Sequence, residues 1–333
     1  MPSALVTGAT GLVGSHIVER LLADGWRVRG LARTAAGVAA LAAAGAEAAV
    51  GDVLDAAALE RAAKGRDVVF HTAAAITPRG GWDAFRLNID GATNAIQAAE
   101  RTGARLLQLS SVAVYGPSGR YRGPSEKTDE DTPLEPLPER AYYARSKRES
   151  EQLVLAAHAE GRVWATAVRP DVIYGKRDRQ FVPRVARVLR HGIAPLVAGG
   201  NATLAIVHAA NVADGAVRAA TTDAAGGRAY NLANDFDVTV REFFTLAGEG
   251  LDRHMRFVPI PLPVANGALH AAKFLIRLLT GGRMSVLSTA SLDMLTRGNP
   301  FSSERARIEL GWAPAVRPEV GIPEAFRWWQ AHH

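Results

Sequence analysis

Tyr143 and Lys147 lie four residues apart in the run YYARSK at 142–147. This spacing places both side chains on one face of a helix. A tyrosine with its ordinary pKa of about 10 is a poor acid or base at neutral pH. A neighbouring ammonium group stabilises the phenolate and lowers that pKa towards the working range. The pair therefore predicts a proton donor and acceptor, whereas Tyr142 has no lysine partner at this spacing.

Ser111 supplies a third group for the same chemistry. It follows an apolar, strand-like run at 104–110, and its hydroxyl could hydrogen-bond a substrate oxygen on which negative charge develops. Pairs of the form Tyr-x-x-x-Lys also occur by chance on helices. The combination of Ser111, Tyr143 and Lys147 with a nucleotide-binding turn is much more specific, and it predicts a catalytic site.

That turn lies in ALVTGATGLVG at 4–14, where a short apolar run passes through Gly8, Gly11 and Gly14 into a helical pattern. Glycines allow a tight turn and a close approach of the backbone, and the free N–H groups of the helix N-terminus bind phosphate. The spacing is GxxGxxG, a variant of the dinucleotide fingerprint, with a strand before it and a helix after it. The predicted cofactor contacts here are Gly8, Thr10, Gly11, Leu12 and Val13.

Arg33 bears on the choice of dinucleotide. In an NAD site an acidic residue at the end of the second strand binds the ribose 2′-hydroxyl, but Ala32 stands there and Arg33 follows. A guanidinium can pair with a 2′-phosphate, which a carboxylate would repel. The sequence favours NADP(H), with NAD possible if Arg33 is only a solvated surface residue.

Other cofactor contacts are expected where later strands end, since ligands of doubly wound sheets bind beyond the carboxyl ends of strands. Asp52 follows the third strand and could accept from the adenine amino group, with Val53 beside it; Asp52 could equally cap the next helix. After the fourth strand, the small residues Ala73, Ala74 and Ala75 would let the cofactor approach. His71 is expected to be a packed strand residue.

Apolar strand-like runs alternate with helix-length segments through the first half of the chain. The strand-like runs lie near 4–7, 26–32, 46–50, 67–72, 104–110 and 162–169, and clear helical segments lie at 82–101 and 141–159. This alternation predicts βαβ units and an α/β fold, a Rossmann-type doubly wound parallel sheet with a smaller C-terminal substrate-binding portion.

Composition adds limits on partners and compartment. The 333 residues are 48% hydrophobic and 22% charged, with a net charge of +6 and no cysteine. Disulfides and thiolate metal sites are therefore impossible, and no histidine has metal-ligand spacing, so we expect no metal. The basic residues are scattered without interleaved aromatics, which argues against nucleic acid. We expect a cytoplasmic protein without a signal peptide.

The chain resembles the extended short-chain dehydrogenases/reductases, the broad group of NAD-dependent epimerases/dehydratases and 3β-hydroxysteroid dehydrogenases. The motifs that carry this resemblance are TGATGLVG at 7–14, GDV at 51–53, HTAAA at 71–75, LNIDGATN at 87–94, SSVAVYG at 110–116, YYARSK at 142–147 and RPDVIYG at 169–175. They cover the first 175 residues in the order typical of the family.

The resemblance implies roles for particular residues. Ser111, Tyr143 and Lys147 would be the catalytic triad, with Lys147 also holding the nicotinamide ribose. Asn88 would support the active-site hydrogen bonds, and the backbone of Pro170 and Val172 would face the nicotinamide amide. It further implies a cofactor domain at 1–175 with return segments near 204–233, a mainly substrate-binding portion at 176–333, and a homodimer formed through the helices near 82–101 and 141–159.

The segment 257–280 gives a hint about the substrate. Its prolines and the charges of Lys273 and Arg277 exclude a transmembrane helix. His270, Lys273 and Arg277 would form a basic stripe on an amphipathic helix, which either packs over the substrate portion or touches a membrane surface peripherally. So apolar a segment favours a lipophilic substrate. Residues 300–314 resemble the C-terminal stretch of 3β-hydroxysteroid and sterol dehydrogenases, although similar C-terminal stretches also occur in sugar epimerases.

The sequence thus predicts an NADP(H)-preferring oxidoreductase that interconverts a secondary alcohol and a ketone on a steroid-like or long-chain small molecule. One alternative is a nucleotide-sugar epimerase or dehydratase with tightly bound NAD. Another is a cofactor-sensing regulator that has lost catalysis, although such proteins usually lack the tyrosine–lysine pair.

Overall fold

The computed structural model describes residues 1–76, 81–116, 126–233, 236–280 and 289–333, and of residues 272–280 and 289–291 it describes only the backbone. The chain divides into two compact units. The first comprises Met1–Ile173, Val207–Asp235 and Phe301–Val316, and the second comprises Tyr174–Ile206, Phe236–Pro300 and Arg317–His333.

The strands of the described residues are, in chain order, β1 (Ser3–Thr7), β2 (Arg27–Ala32), β3 (Glu47–Val50), β4 (Val68–His71), β5 (Arg105–Leu109), β6 (Ala165–Pro170), β7 (Val172–Tyr174), β8 (Ile193–Val197), β9 (Ile206–His208), β10 (Ala229–Leu232) and β11 (Arg256–Ile260). The helices are α1 (Leu12–Ala23), α2 (Ala35–Ala43), α3 (Ala56–Ala63), α4 (Gly81–Thr102), α5 (Tyr142–Ala159), α6 (Phe181–Leu189), α7 (Ala209–Thr221), α8 (Val240–Gly250), α9 (Leu262–Thr280), α10 (Thr289–Thr296), α11 (Glu304–Leu310) and α12 (Pro318–His332).

A seven-stranded parallel sheet forms the centre of the first unit, in the order β10-β6-β5-β4-β1-β2-β3. All five residues of β1 are buried, as expected of a central parallel strand with both faces covered. The predicted strands of the first half are confirmed with ends shifted by a few residues; β6, for example, begins at Ala165. The predicted α/β fold, with a Rossmann-type sheet, is confirmed.

Side chains alternate between the two faces of this sheet. Val6, Phe70 and Leu107 contribute to a core with residues of α1 and α7, while their neighbours Leu5 and Val69 contribute to a core with residues of α3, α4 and α5. Both faces are therefore covered by helices. The strand order reverses between β1 and β4, and the crevice beyond the carboxyl ends of these two strands is where such sheets bind ligands.

The second unit has its own small sheet and aromatic core. Strands β8 and β11 pair in parallel from Ile193 opposite Arg256 to Val197 opposite Ile260. Phe243 of α8 packs against Phe181 of α6 and Phe326 of α12, with ring centroids 5.6 and 6.0 Å apart. This unit is the smaller C-terminal portion expected from the sequence.

The segment predicted as an amphipathic helix begins as strand β11 and continues as α9, where His270 is exposed. The side chains of Lys273 and Arg277, two members of the predicted basic stripe, lie outside the described residues. No helix among the described ranges combines the length and the apolar character needed to cross a bilayer.

Candidate active site

The glycine turn connects β1 to α1. Gly8 has a φ of +65°, and its carbonyl accepts a hydrogen bond from the N–H of Gly11 at 2.8 Å. Gly11 is the N-cap of α1, with no side-chain cap and no acidic residue in the first turn. A Cβ atom on Gly14 would lie 2.2 Å from the Gly8 carbonyl oxygen. The turn and the helix start are thus held in close contact, and the free N–H groups of α1 suit a pyrophosphate.

The predicted neighbours in this turn differ in how they could contact a cofactor. Thr10 and Leu12 are partly exposed, and Gly11 is exposed. Val13 is buried in the core beside Ile17 and Leu21, so only its backbone is available to a ligand. This arrangement fits a group bound mainly through main-chain N–H groups.

Arg33 and Asp52 lie close together beyond β2 and β3. The Arg33 side chain is 76% exposed, and its Nη1 lies 3.6 Å from Asp52 Oδ2. Ala32 is buried at the end of β2, where an NAD site would carry its acidic residue. Arg33 is thus an accessible cation placed where a ribose 2′-substituent is expected.

The structure separates the two possible roles of Asp52. The N-cap of α3 is Asp55, whose side chain accepts from the N–H of Ala58 at 3.0 Å. Asp52 Oδ1 instead accepts from the N–H of Leu54, and the carbonyl of Val53 accepts from Asn94 Nδ2 at 2.9 Å. Asp52 therefore does not cap this helix and remains a candidate for the adenine.

Two buried side chains fix the backbone at 72–75. The Thr7 hydroxyl accepts from the N–H groups of Thr72 and Ala73 at 3.2 and 3.3 Å. Asn88 of α4 accepts from the N–H of Ala75 at 2.6 Å and donates to its carbonyl at 3.0 Å. Ala73, Ala74 and Ala75 are only partly buried, which leaves this small-residue backbone accessible from one side.

His71 is buried at the end of β4, as the sequence predicts for a packed strand residue. Its Nδ1 lies 3.0 Å from the Thr7 hydroxyl. Since that hydroxyl already accepts two backbone N–H groups, its proton points to Nδ1, which accepts. Burial and the nearby Lys147 lower the pKa of His71 to about 3, so the ring stays neutral at physiological pH.

The three predicted catalytic residues come from two elements of the first unit. Tyr143 and Lys147 stand one turn apart at the start of α5, and Ser111 follows β5. The Ser111 hydroxyl accepts from the N–H of Ala113 at 3.2 Å and is hydrogen-bonded to the Tyr143 phenol. Lys147 is buried, and its Nζ donates to the Leu109 carbonyl oxygen at 2.6 Å. All three groups therefore lie at the carboxyl end of β5.

The electrostatics of Tyr143 differ from the prediction. Burial raises its pKa above the ordinary value; the hydrogen bond with Ser111 opposes this shift, and the carboxylate of Asp171 adds to it. The expectation that Lys147 lowers this pKa is therefore not met here, because desolvation dominates and the ammonium is directed at Leu109. Burial lowers the pKa of Lys147 itself to about 8, although the carboxylate of Glu151 favours its charged form.

Asn88 also connects the backbone at Ala75 to helix α5 through hydrogen bonds. Its Nδ2 donates to the Ser146 hydroxyl at 3.1 Å, and Ser146 in turn donates to the Tyr143 carbonyl at 2.9 Å. The resemblance implied a supporting role for Asn88, whereas Ser146 was not anticipated. The two side chains link the backbone at Ala75 to the turn of helix between Tyr143 and Lys147.

Pro170 ends β6 and is buried, and Val172 begins β7 and is partly exposed. Asp171 lies between them, near enough to Tyr143 to affect its pKa. The Asp171 carboxylate therefore lies within electrostatic range of the phenol, and the role expected for the backbone of Pro170 and Val172 stays a prediction. Among the residues that the structure describes, no group of three or more His, Asp or Glu side chains is arranged to hold a metal ion.

Sequence reasoning missed a buried polar network next to the triad. Arg169 of β6 binds both carboxylate oxygens of Glu151, and it also donates to the Tyr115 hydroxyl at 2.7 Å. Tyr115 then donates to Asn231 Oδ1 at 2.9 Å. The one local signal was the position of Glu151, four residues after Lys147 on the same helix.

Comparison with known proteins identifies a family and several relatives of similar length. The model of the NAD dependent epimerase/dehydratase family matches residues 4–233. The chain is 32% identical to the 4-hydroxy-2-methyl-3-oxo-4-farnesyl-3,4-dihydroquinoline-1-oxide ketoreductase of Stigmatella aurantiaca, over 95% of this chain and 93% of that protein. It is 30% identical to a 2-alkyl-3-oxoalkanoate reductase of Shewanella oneidensis, over 96% and 84% respectively. The crystal structure of gox2253 superposes with a TM-score of 0.78 and 28% identity, covering 100% of this chain and 99% of that one.

Proposed function

The chain belongs to the NAD-dependent epimerase/dehydratase family of extended short-chain dehydrogenases/reductases, and on that premise we propose that it is an NADP(H)-preferring oxidoreductase. It interconverts a secondary alcohol and a ketone on a lipophilic small molecule. One observation carries the proposal: the Tyr143 phenol is hydrogen-bonded to Ser111 and stands one helical turn from the buried ammonium of Lys147.

In the direction of ketone reduction, Tyr143 is the acid. Its raised pKa keeps the phenol protonated at neutral pH, so that it can give its proton to the carbonyl oxygen. Ser111 hydrogen-bonds the same oxygen and stabilises the negative charge that develops there. The Lys147 ammonium, which donates to the Leu109 carbonyl in the resting site, would hold the nicotinamide ribose and would attract the phenolate only after the proton has left. In alcohol oxidation each of these residues performs the reverse step.

A bound nicotinamide cofactor supplies or accepts the hydride. Its pyrophosphate would bind to the N–H groups at the start of α1, beside the Gly8–Gly11 turn. Arg33 would pair with a 2′-phosphate, and its exposure and the buried Ala32 before it support the preference for NADP(H) over NAD(H). The backbone at 73–75 and at 170–172, together with Lys147, would hold the nicotinamide riboside.

The names of the relatives support a lipophilic substrate. The S. aurantiaca ketoreductase is named for a substrate with a farnesyl group, and the S. oneidensis reductase is named for an alkyl oxoalkanoate. In this chain the second unit, with its apolar helix α9, would bind the substrate. We also propose a homodimer formed through α4 and α5, supported by the exposed Leu87 and Leu153 on those helices.

The proposal is tested by oxidation of NADPH and NADH against a panel of steroid, long-chain and sugar ketones. NADPH should be consumed with a lipophilic ketone. Tyr143→Phe should lower kcat by about 100- to 10,000-fold without loss of NADPH binding. The matched control is Tyr142→Phe, the neighbouring tyrosine without a lysine partner, which should stay within a few-fold of wild type.

Two outcomes would contradict the proposal. Purified protein that carries NAD and consumes no NADPH with any ketone would favour the epimerase or dehydratase alternative. NADP(H) binding without turnover, with properties that Tyr143→Phe leaves unchanged, would favour a regulator that has lost catalysis. In either case Arg33 and the triad would need a different interpretation.

A further inference from the structure

Glu151 is a buried carboxylate that takes no part in the reaction described above. It lies on α5 one helical turn beyond Lys147, on the same face. Its side chain is 2% exposed, and that of its partner Arg169 is 7% exposed. A charged pair withdrawn from water to this extent is costly and is often replaceable by apolar residues without loss of stability. Its position next to the catalytic lysine points to an electrostatic role.

The pair is held in a fixed geometry. Arg169 Nε lies 3.1 and 3.0 Å from the two carboxylate oxygens of Glu151, and Nη2 lies 2.6 Å from Oε1. The remaining nitrogen, Nη1, donates to the Tyr115 hydroxyl, which itself donates to Asn231. Burial raises the pKa of Tyr115 to about 12, so this phenol remains a neutral donor. The Glu151 carboxylate is therefore held by Arg169, whose guanidinium is itself held by Tyr115, and it cannot swing towards solvent.

Lys147 needs such a charge because its own surroundings are poor for an ammonium. It is 3% exposed, and its hydrogen bond to the Leu109 carbonyl involves a neutral group. Desolvation favours the uncharged amine, and a nearby carboxylate opposes that effect. The charge of Glu151 acts on Lys147 in this way and favours its ammonium form.

We propose that Glu151 is a positioning residue for catalysis: fixed by Arg169, its carboxylate keeps Lys147 in the ammonium form that the active site requires. This role rests on the proposed function in one respect: the reaction that uses the Lys147 charge is the ketone reduction proposed above. Arg169 fixes the carboxylate, Tyr115 fixes Arg169, and Asn231 fixes Tyr115.

The other titratable groups around Lys147 do not substitute for Glu151. On the β4 side, His71 is neutral, with its pKa lowered to about 3. Asp171, after β6, acts on Tyr143. Tyr143 is neutral in the resting site because its pKa is raised, and on the α4 side Asn88 carries no charge. On the β6 side, Arg169 is cationic and favours the uncharged amine.

The direct test is an NMR titration of the Lys147 side chain in full-length protein labelled with ¹³C-lysine, with Lys147→Met identifying the resonance. In the wild type the ammonium should titrate near the value of about 8. In Glu151→Gln the pKa should fall by about 1 unit or more, since removal of one nearby charge has that effect. Glu149→Gln is the matched control. It removes an equal charge from an exposed position on the same helix and should leave the pKa of Lys147 unchanged.

Activity provides an independent readout. A fall of the Lys147 pKa from about 8 to about 7 leaves the ammonium form almost fully populated at pH 6 and lowers it about five-fold at pH 8. Glu151→Gln should therefore match the wild-type kcat at pH 6 and lose about five-fold at pH 8, and Glu151→Asp should restore much of the loss. A purely structural role would instead lower activity equally at both pH values.

If Glu151→Gln does not fold, the double variant Glu151→Leu/Arg169→Met removes both charges without leaving one unpaired. The Lys147 pKa should still fall because the carboxylate that acts on it is gone, but by less than in Glu151→Gln, since the Arg169 cation is removed as well. A Lys147 pKa equal to that of wild type in either variant overturns the proposal, as does an activity loss independent of pH. Because the titration needs no substrate, a shifted pKa without ketone reduction would overturn the proposed function and leave this inference standing.

Discussion

Gly14→Ala tests the cofactor turn with a single methyl group. The added Cβ would lie 2.2 Å from the Gly8 carbonyl oxygen and 2.7 Å from its carbonyl carbon, and both distances are well below ordinary contact distances of about 3.5 Å. Because backbone atoms cannot rotate away, α1 must move off the turn, and overpacking of this kind costs about 3 kcal/mol. Alanine is favoured over glycine inside a helix by about 1 kcal/mol. We therefore expect a net destabilisation of about 2 kcal/mol.

Denaturant unfolding of the cofactor-free protein measures this loss, and NADPH fluorescence measures binding, which should weaken at least ten-fold because the N–H groups of α1 leave their positions. Gly267→Ala is the matched control. Gly267 also lies inside a helix, α9, but a Cβ there meets nothing within 4 Å, so the same substitution should stabilise the protein by up to about 1 kcal/mol. Wild-type stability together with unchanged NADPH affinity in Gly14→Ala would refute the close approach of the helix to the turn.

Two further substitutions test the coenzyme site and the buried network. Arg33→Asp should raise KM for NADPH at least ten-fold and shift preference towards NADH, because a carboxylate repels the 2′-phosphate; an unaltered preference in steady-state kinetics would remove Arg33 from the site. Tyr115→Phe should lower the free energy of unfolding by about 2 kcal/mol, since it removes a hydroxyl that accepts from a charged donor and also donates to Asn231. Tyr142→Phe, at a half-buried tyrosine, is the comparison, and equal stability of the two variants would argue against the network.

The parts of the site that local patterns encode could be predicted from the sequence. The glycine turn is encoded within a few residues, because strand, turn and helix follow one another directly. Tyr143 and Lys147 are related by helical spacing alone, and Ser111 by its position at the end of a strand. The parallel sheet follows from the alternation of apolar runs with helix-length segments.

The rest depends on contacts between residues distant in sequence. Asn231 and Tyr115 are 116 residues apart, and no local pattern relates either of them to Glu151. The direction of the Tyr143 pKa was missed for a similar reason: spacing shows that an ammonium is near, but not that desolvation of the phenol outweighs its hydrogen bond to Ser111. Asp52 and Asp55 are both suitable helix caps by composition, and only the backbone geometry identifies Asp55.

The segment Phe301–Val316 has a consequence for how this protein can be divided and synthesised. It belongs to the first unit, where Trp312 is buried and donates to the Asn211 carbonyl at 2.9 Å, and the Asn211 side chain accepts from the N–H groups of Ala315 and Val316. A fragment ending at residue 175 would therefore lack both β10 and the tryptophan that closes its core. During translation, the unit formed by the first strands can be completed only after the ribosome has made the residues up to Val316.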